Sequence, residues 1–252
     1  MRRSLILAAS ALLVLSSAAC MGGQDAPDPA AYAAALGDPV RPAEDRARDA
    51  ARHTAETLAF AQVAPGQKIT DMIIGGGYFT RVFSAAVGSE GRVTAWQPAE
   101  FIGFQASYGE ALTAADALAN VDAIRSPIGA PEFPSDLDLI FTAQNYHDLH
   151  LAPFPADTAS KVNAAAFAAL KPGGRYVIID HHAAAGSDLA AADSLHRIDI
   201  EAVKREVTAA GFVLDGESEV LANTTDPRTA SVFDESIRGR TSQFMLRFKK
   251  PG

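Results

Sequence analysis

Cysteine is nearly absent. Cys20 is the only one in 252 residues, so the chain can form no intramolecular disulfide and no cysteine-based zinc cage. Basic residues are the minority, 22 Lys and Arg against 30 Asp and Glu. The resulting formal charge of −8 argues against nucleic-acid binding, since a phosphate backbone requires a clustered basic surface. Tryptophan occurs once, at Trp96, and no internal repeat is visible, which removes solenoid and propeller architectures. Long apolar runs are missing too: the best, Ser4 to Ala19, falls short of the ~20 residues that a spanning helix needs. What is left, with 48% hydrophobic residues, is an acidic globule of one large domain or two small ones.

The start of the chain is of a different kind. Met1-Arg2-Arg3 is a basic head, Leu5 to Leu15 an apolar centre, and Ser16-Ser17-Ala18-Ala19 a small-residue exit before Cys20. That order predicts a secretory signal over residues 1–19 and an exported protein of the periplasm or cell envelope. Two outcomes stay open at the junction: lipidation of Cys20, which would be the chain's one attachment to a membrane, or plain cleavage nearby. Cleavage removes Arg2 and Arg3, and with Cys20 blocked or lost the remainder holds no free thiol, which suits an oxidising compartment. Residues 20–43, with Gly22-Gly23 and Pro27, Pro29, Pro39 and Pro42, read as a flexible tether. Residues 44–252 read as the folded domain.

From there the chain alternates. A helix is predicted from about Glu44 to Pro65-Gly66, with Asp45 and Asp49 spaced to pair with Arg46, Arg48 and Arg52. Strands follow at Ile69–Ile74, Arg92–Trp96, Val121–Ile124, Leu137–Thr142, Tyr176–Ile179, Phe212–Leu214 and Gln243–Phe248. Helices are predicted between them at Phe79–Val87, Ala106–Ala119, Ala156–Leu170 and Asp199–Ala210. Strands separated by helices mean an α/β fold with a doubly wound, mostly parallel sheet; the last strand is expected to be antiparallel.

Chemistry enters at the first strand–helix junction, Asp71-Met72-Ile73-Ile74-Gly75-Gly76-Gly77-Tyr78-Phe79-Thr80. Glycines there let the backbone turn sharply and approach a ligand, and the helix start offers unpaired N–H groups. A nicotinamide dinucleotide fingerprint would need Gly or Ala where Thr80 stands and an acid where Gln97 closes the second strand. The stretch instead resembles motif I of the class I S-adenosylmethionine-dependent methyltransferases. With Arg41-Pro42, Asn145-Tyr146-His147-Asp148, Leu170-Lys171-Pro172-Gly173-Gly174, Asp180-His181-His182 and Leu195-His196-Arg197-Ile198, the chain over residues 41–250 resembles an exported bacterial group of such proteins. The resemblance implies a Rossmann-like fold with S-adenosylmethionine as cofactor. It places the cofactor at Asp71, Gly75, Gly76, Gly77, Tyr78, Gln97 and Asn145. Two positions depart from the usual pattern: Ile73 replaces the loop's first glycine, and Gln97 replaces the acid that holds the ribose, with Glu100 three residues on.

The second feature is histidine. Asn145-Tyr146-His147-Asp148-Leu149-His150 and Asp180-His181-His182 each follow a strand, which puts both at the carboxyl edge where ligands bind. Three readings stand: rim histidines bonded to loop backbone, a catalytic base at His147 or Asp148, or a metal site from His147, His150, Asp180 and His181. Arg197 is read either as a contact for an acidic substrate or as a surface ion pair. The expected activity is methyl transfer to a small-molecule acceptor. The alternatives are a non-catalytic binding domain that retains the fold, or a metal-dependent enzyme using the rim histidines.

Overall fold

The computed structural model describes residues 27–252. The signal segment, the cleavage site and Cys20 lie outside the described residues. Seven strands form one sheet in the order β3-β2-β1-β4-β5-β7-β6. They are β1 (Lys68–Met72), β2 (Arg92–Pro98), β3 (Val121–Ser126), β4 (Leu137–Ala143), β5 (Leu170–His181), β6 (Val213–Ser218) and β7 (Gln243–Lys249). The first five strands of that order pair in parallel, whereas β7 runs antiparallel to both β5 and β6. The chain winds outward from β1 to β3, then returns to place β4 on the other side of β1. That reversal is a topological switch point, and a crevice opens there beyond the strands' carboxyl ends.

The apolar strands bury both faces. One core gathers Trp96, Ile140, Tyr176 and Phe248; the other gathers Val82, Phe83, Val93 and Phe141. Such two-sided burial is why the strands read as continuous apolar runs rather than as alternating ones. Helices α4 (Tyr78–Val87), α5 (Ala99–Phe104), α6 (Ser107–Asp116), α7 (Thr158–Ala169), α8 (Ala190–Leu195) and α9 (Ile200–Ala209) cover the sheet. Asp199 caps α9, accepting a hydrogen bond from the Glu201 N–H at 3.1 Å. Among the described residues, no helix is long and apolar enough to cross a membrane.

Two expectations are corrected. The tether over 20–43 is folded where it is described: a 3-10 turn (Pro29–Tyr32) leads into α1 (Ala33–Leu36). The buried Tyr32 hydroxyl donates to the Val63 carbonyl at 2.8 Å, and fully buried Arg41 donates to the Leu36 carbonyl at 2.7 Å. One aromatic ring and one guanidinium dock a segment whose composition has little else to pack. The single helix from Glu44 is also broken, into α2 (Ala43–Arg46) and α3 (Thr54–Ala61). His53 between them is left-handed, with φ 45°, as is Gln62 at the end, with φ 55°. The local Asp–Arg spacing is overridden by longer-range partners: Asp45 pairs with Arg81 at 2.6 Å and Asp49 takes Arg41 at 2.8 Å. Arg48 and Arg52 are therefore without a carboxylate partner among the described residues.

Candidate functional site

The glycine turn sits at the crevice. Gly75 and Gly77 are left-handed, with φ 54° and 75°, and a Cβ added at Gly75 or Gly76 would meet nothing within 4 Å. The turn is thus an open cradle whose floor is backbone. Ile73, in place of the loop's first glycine, keeps a glycine-like conformation at φ 64°. A β-branched residue there is strained, by ~1–3 kcal/mol. Its buried side chain joins the core around Met72 and Trp96 and holds it in place.

Fastenings run behind the cradle. The Thr80 hydroxyl donates to Asp71 Oδ2 at 2.6 Å, pinning α4 to β1. Burial pushes the Asp71 carboxyl up to about 7, against the Thr80 hydrogen bonds and the charges of Arg52 and Arg81. The Asn145 amide donates to the Ile73 carbonyl at 3.0 Å and to Ala143 at 2.7 Å, joining the turns after β1 and β4. Gln97 is fully buried; its Oε1 accepts the Gly75 N–H at 3.1 Å, and its Nε2 has no partner among the described residues. Tyr78 is buried, its hydroxyl 2.6 Å from Thr54 Oγ1 and donating to Asp49. Ser126, at the end of β3, is engaged by Trp96 Nε1 and the Glu132 N–H. Glu100 Oε2 accepts the Ile128 N–H at 3.0 Å beside a separate apolar cavity.

Two cavities meet at the cradle. One of about 170 Å³ is lined by Asp71, Gly75, Gly76, Tyr78 and Asn145, and one of about 310 Å³ by His181, Phe233, Arg238, Thr241 and Gln243. Arg48, Arg52, Phe79, Ala143 and Gln144 line both. Arg52 lies 4.5 Å from the centre of the Tyr78 ring, and burial with the neighbouring charge of Arg48 pushes it down to about 10. Sequence reasoning missed these arginines as site residues, because their place here is set by the docked N-terminal segment and by no local motif. An open backbone cradle with two guanidinium groups beside it, neither paired with a carboxylate, fits a cofactor that carries a carboxylate.

The histidines divide. His147 and Asp148 lie on a 3-10 turn (His147–His150), both buried. Asp180, buried at the end of β5, accepts from the His147 backbone N–H at 2.7 Å, and its other oxygen is 2.8 Å from His147 Nδ1. Burial disfavours the charged imidazole, but Asp180 and Asp148 outweigh it and lift His147 to about 9. Burial raises Asp148 to about 6 despite His147, while His147 holds Asp180 below the usual carboxylate range against its own burial. His150 turns away to Glu206 Oε2 at 3.0 Å, and His181 to Thr241 Oγ1 at 2.8 Å. The metal set of His147, His150, Asp180 and His181 is therefore not assembled. His196 takes their place: its Nδ1 is 3.2 Å from His147 Nε2. It arrives from the turn after α8, 49 residues from His147, a separation across which sequence spacing carries no signal. Both readings of Arg197 are also corrected. It is fully buried, donating to both Asp226 oxygens, at 2.8 and 3.1 Å, and to the carbonyls of His182 and Ala230.

No protein-family model and no curated relative matches the sequence. Solved structures match its fold. A SAM-dependent methyltransferase from Aquifex aeolicus is 19% identical, with TM-score 0.56 over 88% of this chain and 98% of that one. A putative methyltransferase from Haloferax volcanii, solved with its Trm112 activator, is 14% identical, with TM-score 0.58 over 83% and 94%. A putative sarcosine dimethylglycine methyltransferase from Galdieria sulphuraria is 15% identical, with TM-score 0.55 over 82% and 88%. The strand order, the antiparallel β7 and these similarities agree: the chain has the Rossmann-like fold of the class I S-adenosylmethionine-dependent methyltransferases.

Proposed function

We propose that the chain is an exported, S-adenosylmethionine-dependent methyltransferase acting on a small-molecule acceptor. One observation carries the reading: the open Gly75–Gly76 cradle lies at the switch point and shares a wall with a larger cavity. The cofactor, when bound, supplies an electrophilic methyl group on a sulfonium. The residues of the chain position it. Gly75, Gly76 and Gly77 let backbone approach the methionine part, and Tyr78 opens α4 with its free N–H groups. Arg52 and Arg48 meet the carboxylate. Asn145 and Asp71 hold the turn, and Gln97 fixes it from behind through the Gly75 N–H. The larger cavity, of about 310 Å³, is the size of a small-ligand site and receives the acceptor. The acidic charge of the chain speaks against a nucleic-acid acceptor. Of the pair His147 and Asp148, 3.3 Å apart, Asp148, raised only to about 6, is the group that takes up the acceptor's proton, and His147, lifted to about 9, is its charged neighbour.

A second reading is a binding domain without turnover. It is favoured by Gln97, whose oxygen is committed to the Gly75 N–H, so that no carboxylate closes β2 to hold a ribose. Calorimetry with S-adenosylhomocysteine tests the first half of the reading. Wild type should bind, and Gly76→Val, which fills the cradle, should bind at least ~10-fold more weakly with its fold intact. No binding by wild type would remove the cofactor assignment. Binding with no formation of S-adenosylhomocysteine from S-adenosylmethionine, across a panel of small acceptors, would favour the binding domain.

A further inference from the structure

We propose that His147, Asp148 and His196 form a three-ligand site for a divalent transition-metal ion, zinc foremost. His147 Nε2 is 3.2 Å from His196 Nδ1 and 3.3 Å from Asp148 Oδ1, and those two atoms are 3.9 Å apart. The point equidistant from all three lies about 2.0 Å from each, and Zn–N and Zn–O bonds are roughly 2.0–2.2 Å. The triangle is the size of an ion's ligand set without rearrangement. Two imidazoles and one carboxylate select a borderline ion such as zinc over calcium or magnesium, which take oxygen donors.

A second observation points the same way. Asp180 engages His147 through Nδ1 and the backbone N–H, and its Oδ1 also accepts the His181 N–H at 2.7 Å. A buried carboxylate on the far nitrogen fixes the ring and leaves Nε2 facing the other two ligands; this is how metal-binding histidines are commonly oriented. Asp180 is thus a positioning residue.

Burial is graded across the set. The side chains of His147, Asp148 and His196 are 4%, 12% and 30% exposed, so the site is closed behind and open on the His196 side. Structural zinc sites are closed by four protein ligands, whereas three ligands with an open position are the catalytic arrangement. The His196 ring packs on Phe233, with centroids 4.8 Å apart, and Phe233 lines the larger cavity. The three ligands do not themselves line that cavity; the Phe233 ring stands between it and His196. On the methyl-transfer reading, an ion held by Asp148 would take the place of direct proton removal by that carboxylate. The metal site itself does not depend on methyl transfer.

The test is metal uptake by the untagged full chain without cofactor. After chelation and dialysis, calorimetry with zinc chloride should show one equivalent bound, and cobalt(II) should give the intense visible bands of a low-coordinate site. His196→Ala and Asp148→Asn should each weaken binding by more than about 100-fold, and Asp180→Asn by roughly 10–100-fold. His150→Ala, whose ring pairs with Glu206, should bind as wild type does. His196 is partly exposed, so its variant should keep the wild-type circular dichroism and melting temperature. Absence of stoichiometric uptake by wild type, or uptake indifferent to His196→Ala, would overturn the site and leave a metal-free hydrogen-bonded relay. Either failure leaves S-adenosylhomocysteine binding, measured separately, untouched.

Discussion

The Asn145 amide donates to the Ile73 carbonyl at 3.0 Å, and that bond spans the switch point of the sheet. It holds the turn after β1, in which Ile73 is left-handed, against the turn after β4, in which Gln144 is left-handed as well. Two strained turns facing one crevice persist because each is over-determined by the other. Asn145→Ala removes the donor from two carbonyls at once, Ile73 and Ala143. The expected cost is ~1–3 kcal/mol of stability by urea denaturation, with weaker S-adenosylhomocysteine binding in calorimetry. Unchanged affinity would mean that the bond matters to the fold alone.

Asp71 gives the fold a pH dependence with a definite sign. Its carboxyl is raised from 3.8 to about 7 by burial. A raised carboxyl contributes stability that is complete below pH 4 and is lost as pH rises toward 7. A tenfold change in proton affinity is worth about 1.4 kcal/mol, so the loss amounts to several kcal/mol across that window. Asp71→Asn does not titrate. Relative to wild type it should gain several kcal/mol between pH 4 and 8, whatever its offset from the altered bond to Thr80. A stability difference flat over that range would show that the carboxyl ionises as in water.

Arg197 and Asp226 are a buried pair, and Asp226 also accepts the Ser242 and Arg228 N–H groups. Arg197→Met leaves a buried carboxylate without its cation. It should destabilise by ~3–5 kcal/mol, read as a lower melting temperature. Arg197→Lys should not restore stability, because an ammonium cannot reproduce the fork that reaches Asp226 and two carbonyls. Stability within ~0.5 kcal/mol of wild type would return Arg197 to the class of surface pairs.

Export and anchoring can be read in fractionation. If Cys20 carries the acyl chains, Cys20→Ser should move the protein from the membrane to the soluble envelope fraction. A membrane fraction unchanged by the substitution would count against lipidation. Protein retained in the cytoplasm would count against the signal segment itself.

The central strands are legible in the sequence because burial on both faces makes them runs of apolar, β-branched residues between turn signals: Leu137–Thr142 is expected and β4 is Leu137–Ala143. Alternation with helices then leaves little choice but a parallel sheet, and the glycine triplet marks its switch point. Local chemistry carries that information, since period, capping and turn residues act within a few positions. Only the tertiary structure decided the rest. Tyr32 and Arg41 dock a segment whose composition reads as tether, because one ring and one guanidinium suffice when their partners lie elsewhere. Asp45 and Asp49 abandon neighbouring arginines for Arg81 and Arg41, which frees Arg48 and Arg52 for the crevice. His196 reaches His147 across 49 residues, while His150, three positions away, turns to Glu206. Side-chain partners across such distances are chosen by how the sheet edge and its loops fold over one another, and no spacing rule along the chain encodes that choice.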